Sequence, residues 1–220
     1  MVLIEMRRQL IVLVCAVSAF GLAGGCGNHN LKQWEKPWDP NSIWDGNAPE
    51  GGAIPDFFEG KSGPLPESVV GVWEGEIPDI LWDIKVESDG SILRLVHCVA
   101  GALKVELGGV EANGVDNSYY VFKLGPCESK YFPDARMLRA KIVIDYFIMK
   151  MPSGEIEGRM EDYFEGFVSE DGSRWDTQWF SFRWVKGVAP PDIKMMKAYP
   201  MPLVFIKLDP TQPRAEHVLE

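Results

Sequence analysis

Between Leu138 and Val168 the chain reads "LRAKIVIDYFIMKMPSGEIEGRMEDYFEGFV", and its period of two constrains the fold more than any other feature. Leu138, Ala140, Ile142, Ile144, Tyr146 and Ile148 alternate with Arg139, Lys141 and Asp145. The second half repeats the pattern, with Ile156, Gly158, Met160, Phe164, Gly166 and Val168 against Glu155, Glu157, Arg159, Glu161 and Glu165. Successive side chains of a strand point to opposite faces, so each half is a long strand with one face inside and one face wet. Pro152 and Gly154 between them suit a tight reversal, which predicts a hairpin. "ESDGSI" (87–92) and "SEDGSRW" (169–175) spell two more Asp-Gly turns between alternating runs.

Strand-like runs fall near 69–77, 81–88, 91–98, 102–108, 118–124, 137–151, 154–169 and 173–186, with no amphipathic helix of three turns among them. The expected fold is all-β, an antiparallel up-and-down meander of about eight strands that closes, barrel-like, because closure removes exposed edges. A β-sandwich is the alternative. Gly125, Gly158 and Gly166 stand where long strands would bend. After Gly187 the chain is rich in Pro, and one apolar segment, Leu203 to Leu208, reads as a ninth strand along the domain's edge or a docked tail.

The N-terminus has a different grammar. Arg7 and Arg8 precede an apolar run from Leu10 to Phe20, then small residues and a cysteine. That order is expected of a secretory signal, and the run is shorter than the roughly 20 residues a membrane span needs. "LAGGC", Leu22 to Cys26, resembles a bacterial lipobox, with the departure that Ala23 stands where Leu is usual. The resemblance implies a cleaved signal over 1–25 and diacylglycerol on the Cys26 sulfur. Gly27 rather than Asp after the cysteine implies the periplasmic side of the outer membrane rather than the inner membrane.

Residues 26–68, dense in Pro, Gly, Asp and Asn, read as a tether, 69–187 as the barrel-like domain and 188–220 as a C-terminal extension. Trp34, Trp38, Trp44, Phe57 and Phe58 are unusual for a solvated linker. Either they meet a partner or the membrane interface, or part of the tether packs back on the domain, the reading that their apolar surface favours.

Charge and cysteine usage narrow the function. The net charge is −10, and removal of Glu5, Arg7 and Arg8 with the signal leaves 20 basic against 31 acidic residues. Nucleic acid is therefore not an expected partner. Cys98 and Cys127 remain as an even pair in an oxidising compartment and are candidates for a disulfide, with two buried free thiols as the alternative. His29, His97 and His217 are scattered and there is no CxxC, so neither metal nor cofactor is expected.

"VVGVWEGE" opens the first strand with Gly71 and Trp73 and resembles the Gly-x-Trp opening of the lipocalin and fatty-acid-binding group of small barrels. The resemblance implies that Trp73 closes one end of the barrel and stacks on a basic residue of the last strand, for which Arg183 in "FSFRWVK" is the candidate. It also implies an apolar ligand. Trp175 and Trp179 share one strand face and Phe180, Phe182 and Trp184 the other; exposed they would suit a sugar or lipid, buried they are core, the reading that strand composition favours. No nucleophile elbow, zinc helix, phosphate loop or dinucleotide fingerprint is present. Glu161, Asp162 and Glu165 cluster, but two of them fall on the wet face, which makes solvation their expected state. The expected protein is not an enzyme. It is a membrane-anchored envelope lipoprotein whose barrel binds an apolar or saccharide ligand or an envelope partner, or a structural and assembly lipoprotein without a small ligand.

Overall fold

The structure is a computed structural model, and it describes residues 48–77, 80–99, 103–106, 119–151 and 154–209. The signal, Cys26 and the tryptophans at 34, 38 and 44 lie outside these residues. Among the described residues ten strands form one antiparallel sheet: β1 (Gly71–Ile77), β2 (Ile80–Val86), β3 (Ile92–Val99), β4 (Leu103–Glu106), β5 (Tyr119–Leu124), β6 (Glu128–Phe132), β7 (Met137–Met151), β8 (Gly154–Val168), β9 (Arg174–Val185) and β10 (Met201–Lys207). All eight expected strands are present, and β6 and β10 are added.

The order is β4-β3-β2-β1-β10-β9-β8-β7-β5, with β6 pairing β7 beside β5. The chain therefore runs up and down around a curled, barrel-like sheet, and a two-sheet sandwich is excluded. Its first and last strands are hydrogen-bonded, with Trp73 opposite Lys207. The Leu203 segment is thus part of β10, set between β1 and β9 rather than along an edge. Among the described residues no ladder joins β4 to β5. At the other end the wall is continuous, because the Ser129 amide donates to Gly90 O (2.7 Å) and the Ile92 amide to Cys127 O (3.4 Å).

Side chains fill the Trp73 end. Trp73, Trp82, Phe164, Trp175, Trp179 and Phe205 are fully or almost fully buried in one cluster, stoppered from below by Val69 and Leu65. Trp175 stacks on Phe205 with centroids 4.8 Å apart, and Trp82 meets Phe164 edge-on at 5.1 Å. Each such burial contributes on the order of 2–3 kcal/mol, which makes this half the stable floor of the fold. Gly166 lets β8 and β9 approach: a Cβ there would lie 1.9 Å from the Asp176 carbonyl oxygen.

Alternation along β7 breaks once. Ile144 faces Met160, yet Phe147 faces Gly158, so one extra residue is inserted near Asp145. Such a bulge flips the faces beyond it. Phe147 and Met149, rather than the expected Tyr146 and Ile148, join Ile144 and Met160 inside, while the Tyr146 hydroxyl bonds Glu157 Oε2 (2.7 Å) on the outside.

The outer face of β8 and β9 is covered as well. Ala53, Ile54 and Phe57 are buried there against Tyr163, Phe182 and Trp184. Beside them the six-residue helix α1 (Ile193–Ala198), capped by Asp192, adds Ile193 and Met196. The described part of the expected tether therefore packs back on the domain.

Candidate functional site

Glu161 and Asp162 are neighbours on β8, both fully buried, and strand geometry sends them to opposite faces. Glu161 lies outside, beneath residues 52–57. Its Oε2 accepts from the Ala53 amide (2.8 Å) and the Tyr163 hydroxyl (2.5 Å), and its Oε1 from Arg159 Nη2 (2.5 Å). The Tyr163 oxygen in turn accepts from the Ile54 amide (3.3 Å). Gly52, at φ +90°, passes so close that a Cβ would stand 2.7 Å from Glu161 Oε2. Burial pushes the Glu161 carboxyl up, but the bonds from Tyr163, Ala53 and Arg159 outweigh it and hold the group below its ordinary value. Tyr163, desolvated and facing that carboxylate, is pushed beyond the usual phenol range.

This clasp corrects the expectation of a solvated face. Glu165, half-exposed and paired with Arg139, fits it. Glu161 does not, because the covering segment arrives from about 100 residues upstream, as the Ala53 bond across a separation of 108 records. Arg139 ties the same segment down by donating to Phe57 O (2.9 Å) and Glu59 O (3.1 Å).

Asp162 lies inside the barrel, between Met160 and Phe164 and opposite Ile142 and Ser181. Its Oδ1 accepts from Trp179 Nε1 (2.8 Å), so the floor's uppermost tryptophan turns its one polar atom toward the carboxylate. Asp162 Oδ2, Ser181 Oγ and Arg183 Nε are also buried without a well-formed hydrogen bond among the described residues, the Ser181 hydroxyl lying close enough to the Asp162 carboxyl to favour its charge. The three residues are contiguous: Ser181 is the cross-strand partner of Asp162, and Arg183 follows on the same face of β9. Desolvation pushes the Asp162 carboxyl up to about 6, against the opposing pull of the nearby Arg183 charge, Ser181 and Trp179. Buried polar groups ordinarily find partners. Three neighbours that lack well-formed bonds, set inside the barrel between the aromatic floor and the Ile144, Phe147 and Met160 cluster, mark the candidate site.

The remaining sequence-level candidates fall elsewhere. Trp73 and Arg183 do not meet. The Lys207 amide donates to Ser173 O, and Arg183 is ten residues further along β9, about 33 Å at strand rise. The cation near Trp73 is instead Lys207, 6.0 Å from the ring centroid, while Trp73 Nε1 donates to Val69 O (2.9 Å). The expected Trp73–Arg183 pair is therefore absent, because β10 inserts between β1 and β9 and carries Lys207 to that position.

Nor do Cys98 and Cys127 bridge. Cys127 is a free thiol that donates weakly to Gly125 O (3.6 Å), and its carbonyl meets Ile92 at the start of β3. Cys98 is six residues along that strand, about 20 Å away, far beyond disulfide reach. Of the aromatic set, Trp175 and Trp179 belong to the interior floor, Phe182 and Trp184 lie buried beneath residues 53–57 and α1, and Phe180 is half-buried beside them.

A shallow outer groove of about 330 Å³ runs past Glu165, Phe167, Asp176, Gln178 and Val204, but its two carboxylates are already paired with Arg139 and Arg174. Among the described residues no group of three or more His, Cys, Asp or Glu side chains gathers at metal-binding range, and no helix is long and apolar enough to cross a membrane. No family model matches this chain, and no curated protein or solved structure matches it.

In the sequence Asp162 reads as one member of an acidic cluster, although a signal of its place is present. It interrupts the apolar face that runs through Met160 and Phe164, and a charge on an inward position is the observation that calls for a partner.

Proposed function

We propose that this chain is an envelope lipoprotein, anchored through Cys26 on the periplasmic side of the outer membrane, whose barrel is a non-catalytic binding module. The single observation that carries the binding reading is the cluster of Asp162 Oδ2, Ser181 Oγ and Arg183 Nε, buried inside the barrel without well-formed hydrogen bonds. An arrangement built for stability alone would satisfy those atoms or replace them with hydrocarbon. The non-catalytic part is supported by the sequence, which carries no nucleophile elbow, zinc helix, phosphate loop or dinucleotide fingerprint. The anchor reading rests on the lipobox-like LAGGC. Acyl chains contribute about 0.8 kcal/mol per buried CH₂, and more than one chain gives a durable hold.

A structural or assembly role without a small ligand is the second reading, favoured by the solid packing of the Trp73 end. A native mass spectrum of the full-length protein separates the two. The binding reading expects a co-purified small molecule that is lost in Arg183→Gln, and the structural reading expects the bare protein mass. The anchor has its own test: an alkynyl fatty acid labels the wild-type protein and leaves Cys26→Ser unlabelled. Absence of label on the wild type would remove the anchor from the account.

A further inference from the structure

These three buried atoms differ in kind, and the difference selects a ligand. Asp162 Oδ2 accepts, Arg183 Nε donates, and Ser181 Oγ does either. An alkyl chain would bury all three against hydrocarbon. An anion would suit Arg183 but face the Asp162 carboxylate, and a cation would suit Asp162 but face the guanidinium. A hydroxyl satisfies both, since it donates to the carboxylate and accepts from the N–H. The spacing points the same way. Asp162 and Ser181 are direct cross-strand partners, about 5 Å apart at the backbone, and Ser181 and Arg183 are two residues apart on one face, about 7 Å. One six-membered ring carries hydroxyls across such a span.

We propose that the inward set of Asp162, Ser181 and Arg183 binds a neutral saccharide ring through its hydroxyl groups, at the level where the aromatic floor ends in Trp179. This deepens the binding reading above and rests on it. Arg183 is half-buried and lies toward the end of β9 away from Trp73, the side from which the ring is proposed to approach.

The test is saturation-transfer NMR on the full-length protein in zwitterionic micelles that carry no sugar headgroup, with glucose, galactose and mannose as probes and decanoate as the apolar anion. At least one hexose is expected to receive saturation on its ring protons. Ser181→Ala and Arg183→Gln should each weaken that binding about tenfold, the effect of one lost hydrogen bond. Trp73→Phe, at the far end, should leave it unchanged. Ser181→Ala deletes a single hydroxyl and keeps the strand and its apolar neighbours, so the fold should be retained, which circular dichroism checks, even where Arg183→Gln does not retain it. Binding of decanoate without any hexose overturns the saccharide assignment and leaves the binding reading standing. Binding of neither probe class, together with a bare native mass, overturns both.

Discussion

Glu161 and Asp162 are one residue apart, equally sealed from solvent, and opposite in every other respect. Glu161 has an amide, a phenol and a guanidinium on its two oxygens, and its carboxyl is held below its ordinary value. Asp162 has one well-formed bond, from the Trp179 indole N–H, only the nearby Ser181 hydroxyl and Arg183 charge besides, and a carboxyl pushed up to about 6. Burial alone therefore says little about a carboxylate; the count of donors around it decides whether the charge is held or resisted. A carboxylate surrounded by donors recovers its desolvation cost, and one with few donors leaves that cost unrecovered in the fold. Natural sites commonly carry such a stability deficit.

The largest effect should come from breaking the satisfied partner. Glu161→Ala leaves Arg159, the Tyr163 hydroxyl and the Ala53 amide without their common acceptor, and breaking a buried pair in this way costs about 3–5 kcal/mol. Urea unfolding should show that loss, and limited proteolysis should now cut within residues 48–60. Retained protection there would mean that the aromatic contacts alone hold the segment.

The second effect has the opposite sign. Asp162 has its folded value raised from 3.8 to about 6, so its favourable contribution is complete below about pH 4 and is lost as pH rises through 6. Above that the penalty is about 3 kcal/mol, from roughly two units at 1.36 kcal/mol each. Asp162→Asn should accordingly stabilise the protein by up to about 3 kcal/mol at pH 7.5 and by almost nothing at pH 4. Glu161, with a lowered folded value, behaves in reverse: its contribution is present above its unfolded value and is lost as pH falls through the folded one. Denaturant midpoints for the two variants across this range should therefore diverge rather than run parallel.

Much of this contrast was legible in the sequence, and the part that was not has a physical reason. Period-two alternation located both long strands and put residues 160, 162 and 164 on one face, because the pleat is local. The covering of Glu161 was illegible because Ala53, Ile54 and Phe57 come from a Pro- and Gly-rich stretch with no period of its own. β6, five residues between Cys127 and Pro133, is too short to show alternation. The place of β10 between β1 and β9 is a matter of topology, which no local pattern encodes, and it moved the cation beside Trp73 from Arg183 to Lys207.

The smallest expected effect follows from that correction. Lys207→Met removes the cation from Trp73 together with its bond to Ser68 O (2.8 Å) and should cost about 1 kcal/mol in denaturant unfolding. Arg183→Met should leave the near-ultraviolet circular dichroism of the Trp73 cluster unaltered. A change there would place Arg183 in the floor after all.

The central contrast can be read directly on the two carboxyls. With ¹³C at the side-chain carboxyls of Asp and Glu, an NMR titration of the full-length protein is expected to show the Asp162 resonance moving near pH 6, while Glu161 holds its charge below the ordinary glutamate range. An Asp162 carboxyl that titrates with the exposed aspartates, below pH 4, would mean that its second oxygen is satisfied, and the barrel interior would then contain no reserved site.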